Sequence, residues 1–106
     1  MRNNFVIIMT MCATGKEARK IADAILKKRL AACTNIISGV ESKFWWKGKI
    51  DSASEVMLMA KTVLANYKKL EAEIRRLHSY DVPEIVAIPI AAGSGDYLDW
   101  IGESVK

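Results

Sequence analysis

Hydrophobic residues near the start of the chain form an unbroken run and do not alternate with polar ones. The run Phe5-Val6-Ile7-Ile8-Met9 is rich in β-branched residues and is apolar at successive positions. Successive strand residues point to opposite faces, so such a run indicates a strand that is covered on both sides. We expect this strand to end near Cys12.

The next stretch has the spacing of an amphipathic helix. Thr14-Gly15-Lys16-Glu17 fits a capping box, in which the threonine oxygen accepts an early helical N–H and the glutamate reaches back to the cap. Apolar residues then recur three and four positions apart, at Ala18, Ile21, Ala22, Ile25 and Leu26. The pattern predicts a helix with one buried face.

Two further strands are predicted to form a hairpin. Residues 32–37 resume extended structure, Ser38-Gly39 interrupts it, and residues 40–46 continue it. A glycine inside a strand often marks a bulge. Lys47-Gly48-Lys49 is a turn signal, and the run at residues 56–60 is again apolar on both faces. We therefore expect a long antiparallel hairpin.

The last third of the chain predicts a helix, a strand and a short final helix. The apolar residues of the first helix are Tyr67, Leu70, Ile74 and Leu77, and those of the final helix are Tyr97, Leu98, Ile101 and Val105. Residues 84–90 between them read as a strand, with Pro89 at an edge or an end, and Asp96 is the expected cap of the final helix. The order βαββαβ plus a tail helix predicts an α+β, ferredoxin-like sandwich, as a single domain over residues 1–106.

One feature of this arrangement favours self-association. Two helices on one side of the sheet leave its other side open, although the first and third strands are apolar on both faces. Trp45 and Trp46 are adjacent in a strand and cannot both enter one core, so one indole is left over. Large apolar patches usually mark interfaces, so we expect a homo-oligomer with unusual heat resistance.

Composition narrows the class of protein. The chain has 106 residues, 51% hydrophobic and 26% charged, which fits one folded domain. No run is long enough for a membrane span or a signal-peptide core, so we expect a soluble cytoplasmic protein with no membrane partner. A net charge of +4 is ordinary for a solvated surface and predicts no specific nucleic-acid partner. Two cysteines and one histidine exclude a structural zinc site with four protein ligands, and also a disulfide framework.

Candidate chemistry is confined to a few residues. Cys12 precedes the Thr14-capped helix, where its thiol pKa would be lowered for metal or redox work; alternatively it packs as a small hydrophobe. Cys33 lies in a strand and is expected to pack. His78 either ends the second main helix or binds a metal. If Cys12 and His78 share an ion, sulfur with imidazole favours copper(II), and two ligands per chain predict a weak, exchangeable site.

Other functions on the same element order lack their motifs. The sequence has no Ser-His-Asp set, no phosphate-binding G-x-x-x-x-G-K-[ST] and no plausible dinucleotide motif, so we expect no enzyme and no organic cofactor. An RNA-recognition domain needs aromatic residues on its central strands, and residues 56–60 contain none. A copper chaperone would carry M-x-C-x-x-C, but Gly15 stands where the second cysteine would be.

Several segments closely resemble the CutA family of divalent-cation tolerance proteins, and the resemblance covers nearly the whole chain. They are Thr10-Met11-Cys12, Leu30-Ala31-Ala32-Cys33-Thr34-Asn35-Ile36-Ile37, Trp45-Trp46-Lys47-Gly48-Lys49-Ile50, Lys61-Thr62, His78-Ser79-Tyr80-Asp81-Val82-Pro83-Glu84-Ile85 and Tyr97-Leu98-Asp99-Trp100-Ile101. The family's proposed thiol ligand falls on Thr10, two residues before Cys12, and its histidine pair reads Leu77-His78 here.

The resemblance implies a tight homotrimer, related in shape to PII-type signalling proteins, that responds to divalent metal ions. It also implies copper binding, for which Cys12 and His78 are the candidate ligands in this sequence. The alternative is a PII-like scaffold that binds a partner protein or a small anionic ligand at intersubunit clefts, with the anion near Lys61, Lys43 or Arg75.

Overall fold

The computed structural model describes residues 4–106, which form one four-stranded sheet and three α-helices. In chain order these are β1 (Phe5–Cys12), α1 (Gly15–Lys27), β2 (Cys33–Trp46), β3 (Lys49–Val63), α2 (Tyr67–Leu77), β4 (Ile85–Pro89) and α3 (Gly95–Ser104), with a single 3-10 turn at Leu64–Asn66. The strand order is β2-β3-β1-β4, and every pairing is antiparallel. The predicted α+β, ferredoxin-like order of elements is confirmed.

The two sides of the sheet are covered differently. On one side, here called the helix face, Val6 and Ile8 of β1 pack with buried residues of α1 and α2 into the larger core cluster. On the other side, the second face, Phe5 and Val63 pack with Leu98 and Ile101 of α3 into a smaller cluster. Burial of each large aliphatic side chain stabilises the fold by about 1.5–3 kcal/mol. The helix face therefore contributes most of the stability.

The hairpin of β2 and β3 is longer than the sequence predicted. The register shifts between Ile37 and Val40, at the expected bulge, where Gly39 has φ 75°. The turn at Lys47 and Gly48 has φ of 51° and 76°, which suits a tight hairpin turn and favours glycine at its second position. β3 begins at Lys49 because backbone hydrogen bonds extend the ladder through its polar residues.

The tip of this hairpin leaves both tryptophans exposed. β1 ends at Cys12, opposite Val56, so the part of β3 before Val56 has only β2 as a neighbour. The exposed fractions are 73% for Trp45 and 54% for Trp46. The expectation that only one indole would be left over is therefore wrong, because neither reaches a core within residues 4–106.

A buried acid connects the two main helices. Glu73 of α2 accepts from Lys28 Nζ at 2.9 Å and from Arg76 at 2.7 Å, and these two cations hold its pKa at about 2, well below its usual range. Leu26, predicted to be on the buried face of α1, is 37% exposed instead. The end of α1 is thus fastened by this ion pair as well as by apolar packing.

The C-terminal helix begins one residue earlier than its predicted cap. Ser94, and not Asp96, is the N-cap, and its Oγ accepts from the Tyr97 N–H at 3.3 Å. Asp96 lies in the first turn, where a negative charge favours the helix dipole. Pro89 ends the edge strand β4, as predicted. Among residues 4–106, no helix has the length and hydrophobicity that a membrane crossing requires.

Candidate metal centre

Three elements bring a thiol, a carboxylate and an imidazole together at one end of the sheet. Cys12 is the last residue of β1, Glu17 lies in the first turn of α1, and His78 directly follows α2. One ligand atom from each lies within 4.8 Å of the others. The two candidates from the sequence, Cys12 and His78, are therefore neighbours, and Glu17 joins them.

Backbone hydrogen bonds fix the orientation of the His78 ring. Its Nε2 lies 2.8 Å from the carbonyl oxygen of Met11, which only accepts, so Nε2 carries the proton. Its Nδ1 accepts from the backbone N–H of Tyr80 at 3.1 Å. The side chain is fully buried, at 0% exposure. His78 is thus a neutral imidazole inside the fold, where the sequence alone suggests a residue at a helix end.

The Glu17 carboxylate makes a different contact from the one that its sequence position predicts. The Thr14 oxygen does accept from the Glu17 N–H at 3.1 Å, so half of the capping box is confirmed. The carboxylate, however, lies toward the ring, with Oε1 3.5 Å from Nδ1 of His78. This oxygen is buried, and no hydrogen-bond donor reaches it within residues 4–106. A buried, uncompensated oxygen is costly and is a natural ligand for a cation.

The position of Cys12 before a helix predicted a lowered thiol pKa, but in the structure the pKa is raised. Burial, followed by the negative charges of Glu17 and Glu55, raises the pKa of its thiol to about 11. The side chain is fully buried in the core of the helix face. The interpretation of Cys12 as a ready thiolate is therefore wrong for the metal-free protein, because burial and acidic neighbours outweigh the helix dipole.

Tyr80 covers the site from the segment that follows α2. Its hydroxyl donates to Glu55 Oε2 at 2.8 Å, and its ring centroid lies 4.9 Å from that of His78. Burial first, and then the bond to Glu55, raise the pKa of Tyr80 to about 12. The hydroxyl is therefore a donor at every physiological pH. The hydrogen bond to Glu55 holds Tyr80 in the position from which its backbone N–H donates to Nδ1 of His78.

The donor set fits a divalent transition-metal ion. A thiolate, a carboxylate and a neutral imidazole supply two negative charges and include both soft and intermediate donors. Ligand atoms around one such ion are about 3.5 Å apart. Glu17 Oε1 and His78 Nδ1 are already 3.5 Å apart, and no pair among the three ligand atoms is more than 4.8 Å apart. Binding requires Cys12 to lose its proton and His78 to give up its bond from Tyr80. The sequence did not indicate Glu17 as a ligand, because its position in the capping box already explained a glutamate there.

The three basic residues considered for an anion site between subunits lie on three different elements of the chain. Lys61 lies on β3, where its Nζ donates to Asn35 at 3.2 Å and sits 5.7 Å from the Tyr97 ring of α3. Arg75 belongs to α2, which packs on the helix face, and Lys43 lies on the projecting part of β2. Cys33, expected to pack, is half-buried on β2 directly opposite Lys61.

Comparisons with known proteins agree with this fold over most of its length. The family described as CutA1 divalent ion tolerance protein matches residues 6–104. The divalent-cation tolerance protein CutA of Thermus thermophilus is 41% identical over 98 residues, which are 92% of this chain and 95% of that protein. A solved structure of a divalent cation tolerance protein from the same organism superposes with a TM-score of 0.94 at 39% identity, covering 96% of this chain and 99% of that one.

Some relatives in other organisms are longer than this chain. The chloroplastic protein CutA of Arabidopsis thaliana is 40% identical over 101 residues, which are 94% of this chain but only 56% of the plant protein. This chain therefore spans little more than half of that relative.

Proposed function

Because the chain belongs to the CutA1 divalent ion tolerance family, we propose that it takes part in the response to divalent metal ions by binding copper(II) weakly at Cys12, Glu17 and His78. The observation that carries this proposal is the convergence of the three donors within 4.8 Å. Copper is favoured over nickel and zinc because it forms the most stable complexes of the divalent first-row series with nitrogen and sulfur donors.

The cost of preparing this site explains why the binding should be weak. The thiol pKa of about 11 means that the metal has to displace a proton at neutral pH. The ion also replaces the bond from the Tyr80 N–H to Nδ1 of His78, which frees a backbone donor in a half-buried position. An exchangeable ion suits a protein that responds to metal concentration.

The functional unit that we propose is a homotrimer. On the second face, Val86 and Ile88 of β4 are 40% and 42% exposed, and Ile37 of β2 is 45% exposed. Together with the exposed hairpin tip they give each chain an apolar surface of the kind that buried interfaces use. The family resemblance implies three subunits rather than another number. Burial of this face between subunits would explain the expected heat resistance.

The proposal extends to cellular context. Two free cysteines, Cys12 and Cys33, suit a reducing compartment, and we propose a cytoplasmic location for this chain. We propose further that residues 1–106 act as one domain without enzymatic activity. The raised pKa of the Cys12 thiol, about 11, makes it a poor nucleophile at neutral pH, which argues against a catalytic role.

A copper(II) titration with a matched pair of cysteine variants tests the metal site. Cys12→Ala removes the proposed ligand, whereas Cys33→Ala removes the other thiol, which lies on β2 away from His78. The parent and Cys33→Ala should bind copper(II) more tightly than nickel(II) or zinc(II) and show a thiolate-to-copper absorption band. Cys12→Ala should lose the band and at least tenfold in affinity. Equal binding by Cys12→Ala and the parent would show that the ion is held elsewhere.

A further inference from the structure

The candidate metal centre lies beside the base of the projecting hairpin, which is residues 40–55 of β2 and β3. Cys12 ends β1 directly opposite Val56, and the base begins at the next residue of β3, Glu55, whose only neighbour among the described strands is β2. We propose that a metal ion at this centre loosens the base of the hairpin, because it breaks a connection that Tyr80 makes. The effect rests on the metal binding proposed above and extends it from the site to a distant part of the chain.

Tyr80 connects the imidazole of the metal centre to the hairpin base. Its backbone N–H donates to Nδ1 of His78 at 3.1 Å, and its hydroxyl donates to Glu55 Oε2 at 2.8 Å. Glu55 is 8% exposed, and within residues 4–106 no other side chain donates to it. A carboxylate with so little access to water depends on such a donor more than an exposed one does. The bond from Tyr80 therefore attaches the hairpin base to the segment after α2.

The hairpin has little other support at this point. The register of β2 and β3 shifts between Ile37 and Val40, and Val40 is directly opposite Glu55. Such a bulge interrupts the ladder and bends the strand. On the other side of β3, β1 has already ended at Cys12. The hairpin can therefore change its angle to the sheet once the bond from Tyr80 is lost.

A metal ion and the Tyr80 N–H cannot both occupy Nδ1 of His78. Nε2 carries the proton and donates to Met11, so Nδ1 has the only free lone pair of the ring. A transition-metal ion lies about 2 Å from a ligating imidazole nitrogen, whereas the Tyr80 nitrogen lies 3.1 Å from Nδ1. Without movement, the ion and the Tyr80 nitrogen would be only about 1 Å apart. The backbone at Tyr80 must therefore move away when the ion binds.

This movement is transmitted to Glu55 through the tyrosine side chain. Tyr80 belongs to residues 78–84, which lie in neither a helix nor a strand, so their backbone is free to shift. A hydroxyl bond is lost when its two oxygens separate beyond about 3.5 Å. When the backbone moves, the side chain either leaves Glu55 or pulls it along. In both cases the present arrangement of the hairpin base is lost.

The hairpin carries the effect to the proposed subunit interface. Its tip bears Trp45 and Trp46, which belong to the apolar surface that the homotrimer buries. A new angle at the base changes how this tip meets a neighbouring subunit. Occupation of the metal centre and assembly are thereby linked, and such a linkage acts in both directions.

Hydrogen exchange of the full chain, followed by mass spectrometry, tests the connection first without metal. Tyr80→Phe keeps the ring and removes the donor, so amides of residues 38–42 and 53–57 should exchange about fivefold faster than in the parent. Tyr67→Phe removes a hydroxyl from α2 and is the matched control, which should exchange like the parent. Glu55→Gln keeps an acceptor for the Tyr80 hydroxyl and should also stay close to the parent.

Copper(II) chloride then tests the response to the ion, and light scattering records the oligomeric state. At saturation, the same amides of the parent should exchange about fivefold faster, whereas those of residues 18–25 in α1 should not. Tyr80→Phe should bind the ion without a further increase, because its connection is already broken. Cys12→Ala lacks the ligand and should show no response at the same concentration.

The outcomes separate the connection from the metal site. If Tyr80→Phe exchanges like the parent, Tyr80 does not hold the hairpin base, whatever the ion does. If copper(II) binds at Cys12 and the amides of the base do not respond, the metal site stands and its link to the hairpin falls. If Cys12→Ala binds copper(II) like the parent, the proposed metal site falls and the effect of the ion on the hairpin falls with it, even where Tyr80→Phe exchanges faster.

Discussion

The Nε2 of His78 donates to the carbonyl oxygen of Met11 at 2.8 Å, and this bond fastens the segment after α2 to the end of β1. The same ring accepts from the Tyr80 N–H through Nδ1. His78 therefore has a structural task in the metal-free protein and, if Nδ1 is released, a metal-binding one. Which task it performs depends on whether the backbone N–H of Tyr80 or a metal ion takes Nδ1.

The first prediction separates stability from binding at Glu17. Glu17→Gln should raise the free energy of unfolding of the metal-free protein by about 1 kcal/mol, because a neutral amide replaces a buried carboxylate oxygen that lacks a partner. It should also lower copper(II) affinity at least tenfold. Urea unfolding and a copper titration measure the two effects. Glu84→Gln, at an exposed position, is the control and should change neither.

The second prediction concerns protons released on metal binding. Since burial and nearby acids raise the thiol pKa of Cys12 to about 11, copper(II) uptake below that pH should release about one proton per ion. Affinity should therefore rise about tenfold per pH unit between pH 6 and 8. Calorimetry in two buffers of different ionisation enthalpy counts the protons. Affinity independent of pH would show that the thiol is not a ligand.

The third prediction concerns Tyr80. Tyr80→Phe removes the donor to Glu55 Oε2 but keeps the ring beside His78. The segment is then held less firmly, so Nδ1 should be released more easily, and copper(II) affinity should increase several-fold. The free energy of unfolding should fall by about 1 kcal/mol. Tyr67→Phe is the matched control, because its hydroxyl bonds to Glu71 and Ile85 away from the site.

The fourth prediction concerns acid stability. The pKa of Glu73 is lowered from 4.5 to about 2 by Arg76 and Lys28, so its charged form stabilises the fold at pH values above 4.5. That contribution is lost as the pH falls toward about 2. Glu73→Gln should lower the free energy of unfolding by about 1 kcal/mol at pH 7, since both cations are partly exposed. The difference from the parent should disappear by pH 2 in urea unfolding curves.

The fifth prediction tests the assembly. Ile88→Glu places a charge on the second face, and Leu26→Glu places one at a similarly exposed apolar position on α1, with exposed fractions of 42% and 37%. Ile88→Glu should dissociate the trimer, whereas Leu26→Glu should leave it intact, as judged by light scattering. The Tm of the parent should rise with protein concentration, because unfolding is coupled to dissociation. A parent that is a monomer at micromolar concentration would contradict the proposal.

Periodicity predicted the fold well because each main helix buries one face and exposes the other. The spacing from Ala18 to Ile25 fixes α1, and the bulge and turn of the hairpin follow from Gly39 and Gly48. The ends of elements were less predictable. β3 extends through a polar stretch to Lys49 because β2 supplies hydrogen bonds whatever the side chains are.

The candidate site was only half predictable, for a physical reason. Cys12 and His78 stand out by residue type, but their environments depend on segments distant in sequence. Glu55, which lies on β3, helps to raise the thiol pKa of Cys12, and the backbone N–H of Tyr80 donates to the imidazole of His78. Glu17 looks like an ordinary cap residue until its carboxylate is seen beside the ring. Local sequence cannot show such long-range electrostatic contacts.

The strand order also determines how the chain can reach this structure. β2 and β3 are joined by the two-residue turn at Lys47 and Gly48, so their ladder can close from the turn with little loss of chain entropy. β4, in contrast, pairs Pro89 with Val6, and this contact joins nearly opposite ends of the chain. Non-local pairing of this kind forms late and slowly. The projecting hairpin should therefore be among the first parts to fold, and the edge formed by β4 among the last.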